Sequence, residues 1–128
     1  DDPEAPVRCE ACRLIQNQCA WGVDVSPCCE KLLHRLHDES EEVRNCAAWA
    51  VGHLARRRCG QLESAVASLM ALLSAETLWV VDAAAWALGQ LSRGNIDIGE
   101  AVPHLAAALD RLRQEYPRTH LLGALNHY

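Results

Sequence analysis

The segment Cys46-Ala-Ala-Trp-Ala-Val-Gly-His-Leu54 returns thirty-seven residues later as Ala83-Ala-Ala-Trp-Ala-Leu-Gly-Gln-Leu91. Both copies are rich in Ala and Leu, which favour helices. On a helix with about 100° per residue, the apolar residues around each copy share one face. These residues are Val43, Ala47, Ala50, Val51 and Leu54 around the first copy, and Val80, Ala84, Ala87, Leu88 and Leu91 around the second. The repetition therefore predicts two equivalent amphipathic helices.

The opposite face of each predicted helix carries polar and aromatic residues at matching positions. They are Asn45, Trp49, His53 and Arg56 in the first helix, and Asp82, Trp86, Gln90 and Arg93 in the second. Gly52 and Gly89 each follow their tryptophan by three residues, although Gly weakens a helix by about 1 kcal/mol. A close approach by a ligand or by the adjacent helix would account for these glycines.

The rest of the chain repeats the helix-pair pattern every thirty-six to thirty-seven residues, a spacing typical of solenoids. We divide it into a half repeat at 1–22 and repeats at 26–59, 62–93 and 99–128, which together form one domain, 1–128. Ser26 and Ser40 are predicted helix caps, and Gly22 suits a left-handed exit from the first helix. We expect either a part of a longer solenoid or a short solenoid with an open first edge.

The composition restricts the class of partner. The chain has 128 residues, a net charge of −5 and a pI near 5.6, so it has no general attraction to phosphate backbones. We interpret the Arg56-Arg-Arg58 run as cations that suit a helix C-terminus. No stretch approaches eighteen apolar residues, so we expect neither a membrane span nor a signal peptide. We therefore expect neither a nucleic acid nor a membrane as the partner.

The cysteines number seven, an odd set scattered through helical patterns, which is not typical of a secreted disulfide scaffold. We therefore expect an intracellular, cytoplasmic protein. A zinc ion collected by Cys9, Cys12, Cys19 and Cys28-Cys29 is one alternative. We favour buried thiols that act as small apolar side chains, and so predict no metal and no cofactor.

The segment from Leu36 to Leu54 resembles a HEAT repeat, in which an Asp after the first helix and an Arg early in the second recur along the stack. The pairs that fit are Asp2/Arg8, Asp38/Arg44 and Asp110/Arg118. The repeat at 62–93 has Ser74 and Val81 instead, and losing both partners together is expected to strand no charge. The resemblance implies an all-α fold, a right-handed α-α superhelix (solenoid) of about three and a half HEAT-like repeats.

The two tryptophan segments also resemble armadillo repeats, in which a helix presents Trp and, four residues on, Asn to a groove that binds an extended peptide. His53 and Gln90 stand at the Asn position, and both side chains can donate and accept a hydrogen bond. The resemblance implies a protein or peptide partner bound along the concave wall. The predicted partner-binding residues are Trp49, Trp86, His53, Gln90, Asn45, Asp82 and Arg13.

The tryptophans permit a second interpretation, since a Trp on a repeat helix can simply pack against the neighbouring repeat. If they form a binding wall instead, we expect them to lie roughly 10 Å apart, the usual spacing of packed helices.

Signatures of catalysis are absent from the sequence. It contains no P-loop, no GxSxG and no HExxH motif, and none of the His-Glu pairs that HEAT-like metal hydroxylases use. We therefore expect no enzyme, but a scaffold for protein-protein interaction. Two alternatives stay open: a metal-binding or catalytic HEAT-like protein, and a structural segment of a larger scaffold whose edges join other repeats of a longer chain.

Overall fold

The computed structural model describes residues 4–57 and 62–115, and every regular element within these ranges is a helix. The helices are α1 (Ala5–Ala20), α2 (Ser26–Arg35), α3 (Glu41–Arg56), α4 (Ala65–Leu72), α5 (Leu78–Arg93) and α6 (Val102–Glu115), with a 3-10 turn at Gly99–Ala101 before α6. The all-α prediction is confirmed. The second helix predicted for the repeat at 99–128 lies outside the described residues.

The helices form two layers. Helix α3 packs against α1 on one side and, more extensively, against α5 on the other. Helix α2 packs on α3, while α4 and α6 pack on α5. Helices α1, α3 and α5 therefore form one continuous layer that the shorter helices cover, as in an α-solenoid. In the described part of the chain, none of these helices is long and apolar enough to cross a membrane.

The helix ends follow the expected turn chemistry with one exception. Ser40 caps α3, since its Oγ accepts a hydrogen bond from the Val43 N–H at 3.5 Å. Gly22 follows Trp21, the C-cap of α1, and has a φ of +84°, in the predicted left-handed region. Ser26 is not a cap, because it lies inside α2 and donates its own N–H to Asp24 Oδ1 at 3.0 Å.

The core consists of the predicted apolar stripes. The five apolar residues of each copy, from Val43 to Leu54 and from Val80 to Leu91, all have an exposed fraction of 0%. Small residues on the flanks, including Cys46, Ala48, Ala83 and Ala85, are also buried. Because α3 lies between two helices of its own layer, it needs small side chains on both flanks as well as on its apolar stripe.

Four free cysteines, Cys9, Cys12, Cys29 and Cys46, are buried in this core as small apolar side chains, whereas Cys28 is an exposed free thiol. Burial raises the pKa of Cys12 to about 11, so this thiol stays protonated at neutral pH and is a poor metal ligand. The expectation that the cysteines are free thiols is wrong for Cys19, because this residue is disulfide-bonded. Among the described residues, no group of three or more His, Cys, Asp and Glu side chains could hold a metal ion.

Candidate functional site

The junction between α1 and α3 is held by a buried ion pair. The Arg8 guanidinium donates to both carboxylate oxygens of Asp38, from Nε to Oδ2 at 2.9 Å and from Nη2 to Oδ1 at 3.0 Å. The two side chains are only 8% and 5% exposed, and Arg35 lies 3.5 Å from the same carboxylate. This bidentate contact joins the half repeat to the repeat that follows it.

The Asp38 carboxylate also organises its own loop. Its Oδ1 accepts the Ser40 N–H at 2.9 Å, while its main-chain carbonyl accepts Arg44 Nη1 at 2.6 Å. The hydrogen bond from Arg8 holds the pKa of Asp38 below its usual range, although burial opposes this effect. The expected pairing of Asp38 with Arg44 within one repeat is therefore wrong at the side-chain level, because the carboxylate pairs with the Arg of the preceding repeat.

The Arg8–Asp38 ion pair joins two repeats, and this affects how the replacements of Asp and Arg in the repeat at 62–93 are interpreted. Ser40 is the N-cap residue of α3 and Thr77 is that of α5. When these two residues are aligned, Ala75 and not Ser74 stands at the position of Asp38. We call an Asp–Arg ion pair that joins two consecutive repeats a rung. Ala75 replaces the Asp of one rung and Val81 replaces the Arg of the next, so the two substitutions remove two separate rungs. Among the described residues, Arg44 has no carboxylate within ion-pair distance. Arg44 is half-buried and keeps its hydrogen bond to the Asp38 carbonyl, so the expectation that joint replacement strands no charge stays a prediction. Asp2 and Arg118 lie outside the described part of the chain.

The junction between α3 and α5 is built by close packing. A Cβ placed on Gly52 would lie 2.7 Å from Cε3 of Trp86, closer still to Cζ3 of the same ring, and 3.2 Å from Cα of Ala87. Only a glycine leaves room for this ring. The close approach that explains Gly52 is thus made by the adjacent helix and not by a ligand.

Trp86 uses this space to reach the rings of α3. Its ring centroid lies 4.8 Å from that of Trp49 and 4.9 Å from that of His53, with tilted planes in both pairs. The expected separation of roughly 10 Å between the tryptophans is therefore wrong, since Trp86 leans over Gly52 towards Trp49. We call Trp49, His53 and Trp86 the aromatic cluster, and all three side chains are half-buried.

The protonation of His53 follows from its surroundings. Burial lowers the pKa of His53, and the neighbouring Arg56 and Arg57 lower it further. His53 is therefore neutral at pH 7 and offers one hydrogen-bond donor and one acceptor.

Amide side chains flank the aromatic cluster. Oδ1 of Asn45 and Oε1 of Gln90 are buried, and no donor among the described residues reaches either atom. Gln90 is only 6% exposed, whereas Asn45 and Asp82 are half-buried on the same helix faces. Buried amides normally have hydrogen-bond partners, so these two positions call for a functional or structural explanation.

Arg13 is separate from the cluster. It stands thirty-six residues before Trp49 on the exposed side of α1, and its Nη1 pairs with Glu10 Oε2 at 3.3 Å. This pair lies within one helix and is solvent-exposed, so it contributes little to stability. The role of Arg13 as a partner-binding residue therefore stays a prediction.

A polar cavity at the ends of α3 and α5 was not predicted from the sequence. It measures about 310 Å³ and is lined by Ala55, Arg56, Gln90, Arg93 and Gly94. The available signal was the matching phase of Arg56 and Arg93, each seven residues after its tryptophan. That spacing places each arginine on the same helix face as its tryptophan.

A protein-family model described as HEAT repeats matches residues 29–126. The matched span contains α3 and α5, and with them the aromatic cluster and the polar cavity. Comparison with curated proteins and with solved structures gives no significant match.

Proposed function

Because this chain belongs to the HEAT repeat family, whose members generally serve as scaffolds for protein interaction, we propose that it binds a segment of a partner protein on the α3/α5 face. One observation carries the choice of face. The aromatic cluster places three half-buried rings on this face, with Trp86 in contact with both Trp49 and His53, beside two amide oxygens that no described residue satisfies. We infer a non-catalytic role, which is typical of the family.

The cluster suits recognition because its rings are held in place before a partner arrives. Trp86 is fixed by its close packing on Gly52 and by contact with Trp49 and His53. A partner side chain that packs on these rings immobilises little on the protein side, which lowers the entropic cost of binding. Buried tryptophans often contribute about 2 kcal/mol or more at an interface.

The amides supply the polar part of the same proposal. Asn45 and Gln90 can each turn a donor or an acceptor towards a peptide group by rotation of the amide. A partner main chain that runs past the cluster would pair with the group that each amide then turns outward. We propose that this face is the concave wall of the solenoid and that Asp82 and Arg13 border the same surface.

The experiment compares Trp49→Ala with Trp21→Ala. Trp21 is 84% exposed in the loop after α1, so its variant controls for loss of a tryptophan away from the cluster. Trp49 is a better choice than Trp86, because Trp86 also fills the space above Gly52. We expect Trp49→Ala to keep its helicity and lose a partner that the wild-type chain and Trp21→Ala capture from a cell extract. Equal capture by all three proteins would contradict the proposed face.

A second candidate is a structural segment that joins further repeats, and the surface of α1 favours it. Val7 and Leu14 are 42% and 53% exposed on this helix, so α1 presents apolar side chains to solvent. Replacing both with Gln should leave capture by the α3/α5 face unchanged and abolish any association made through α1.

A cytoplasmic setting stays a prediction.

A further inference from the structure

The cavity at the ends of α3 and α5 combines two cations with a buried amide. Arg56 is the last residue of α3 and Arg93 the last residue of α5, and both side chains line the cavity while remaining exposed. Within 4–57 and 62–115, no carboxylate lies within ion-pair distance of either guanidinium. Two positive charges therefore share a small volume without a negative partner from the described part of the chain.

The helix dipole explains only part of this arrangement. A cation is favoured in the last turn of a helix, which accounts for an arginine at each end. It does not account for two arginines that face one cavity, where like charges repel each other. Gln90 adds an independent observation, because it lines the same cavity, is 6% exposed and has an Oε1 that no described donor reaches.

The cavity is continuous in register with the aromatic cluster. Trp49, His53 and Arg56 follow one another at helical spacing along α3, and Trp86, Gln90 and Arg93 do so along α5. Seven residues of helix measure about 10 Å, which equals about three residues of extended chain. A bound segment can therefore contact both the rings and the arginines.

The chemistry of the cavity selects a carboxylate. Guanidinium groups bind carboxylates through paired, charge-assisted hydrogen bonds, and Gln90 can pair with the adjacent peptide group. The net charge of the whole chain is −5, so the positive charge is local and gives little attraction to a long phosphate backbone. A local cation pair on an acidic protein instead fixes the orientation and register of a partner.

We propose that this cavity binds the carboxylate of an Asp or Glu side chain in the partner polypeptide. The acidic residue lies about three positions from an apolar residue that packs on Trp49 and Trp86. This inference rests on the proposed function of the aromatic cluster, and it adds the chemical class of the partner segment.

The test selects peptides from a random phage-displayed library on three proteins. They are the wild-type chain, the cavity variant Arg56→Glu/Arg93→Glu, and the control Arg111→Glu/Arg113→Glu, which makes the same charge change on α6. We expect the wild type and the control to enrich peptides with Asp or Glu about three positions from an apolar residue. The cavity variant should bind these peptides at least about tenfold more weakly, a change of about 1.4 kcal/mol. If it fails to fold, Arg56→Gln/Arg93→Gln replaces it and should show the same direction.

The other outcomes separate this inference from the proposed function. Peptides that depend on Trp49 but show no acidic preference would overturn the carboxylate assignment and leave the binding face standing. A wild-type chain that selects no peptide, or peptides indifferent to Trp49→Ala, would overturn both. A single-stranded oligonucleotide that binds the wild type and not the cavity variant would replace the carboxylate with a phosphate.

Discussion

The two junctions of the inner layer join equivalent helices by different means. Between α1 and α3, a bidentate Arg8–Asp38 ion pair reaches across the repeats, and both helices bury cysteines. Between α3 and α5, Arg44 stands at the position of Arg8, but Ala75 stands at the position of Asp38, so the contact is made by Trp86 seated on Gly52. The first junction depends on charge and the second on shape.

The difference shows how a repeat protein can combine a uniform architecture with a local binding surface. A rung of the ion-pair type satisfies its own hydrogen bonds and leaves little to offer a partner. The packed junction brings three rings together at the surface and leaves amide oxygens unsatisfied within the described chain. The surface proposed for binding therefore coincides with the junction that lacks the ion pair.

The largest expected effect comes from adding a side chain at Gly52, where the Trp86 ring packs at the second junction. Gly52→Val should destabilise the fold by about 3 kcal/mol, because the new side chain overlaps the Trp86 ring and overpacked cores relax poorly. Urea denaturation would measure the loss. Adding Trp86→Leu should restore part of the stability, since neighbouring sites are coupled. Additive losses in the double variant would contradict the packed junction.

Breaking the ion pair at the first junction should have a smaller effect. Asp38→Asn should lower the free energy of unfolding at pH 7 by about 1–3 kcal/mol, because Arg8 loses its charged acceptor. The pKa of Asp38 is lowered in the folded state, so the stabilisation is present above the unfolded value of about 3.9 and is lost as pH falls through the folded value. Denaturation at several pH values should show a weaker acid dependence in the variant. An unchanged acid dependence would contradict this account.

Restoring the missing rung would sharpen the comparison. Ala75→Asp places a carboxylate at the position equivalent to Asp38, where Arg44 can pair with it across the repeats, and it should stabilise the fold by about 0.5–1 kcal/mol. Ala75→Asn is the matched control without charge. The gain should disappear in an Arg44→Gln background, and a gain that persists there would rule out the cross-repeat rung.

The smallest effect concerns the accessibility of the cysteines at the first junction, and it involves no change in global stability. With a maleimide reagent, the exposed Cys28 should react quickly, whereas the buried Cys9 and Cys46 should react only through opening of the structure. Mass spectrometry of labelled peptides would follow each site. Equal rates at Cys28 and Cys9 would show that the first junction is open in solution.

The sequence predicted the helices and the core well because helical periodicity encodes burial directly. The stripes from Val43 to Leu54 and from Val80 to Leu91 are buried as predicted. The separation of the tryptophans was not predictable, because it depends on how far Trp86 can lean over a glycine of another helix. Spacing likewise does not tell whether Arg8 meets the Asp of its own repeat or of the next. Contacts between repeats therefore required the structure.

The most direct measurement is NMR mapping of the wild-type chain with a peptide selected on it. We predict that the indole N–H signals of Trp49 and Trp86 and the side-chain amide signals of Asn45 and Gln90 shift on binding, while the indole signal of Trp21 does not. Shifts confined to the opposite layer, around the groove where His37 bonds Ser68 at 2.8 Å, would contradict the α3/α5 face as the site of binding.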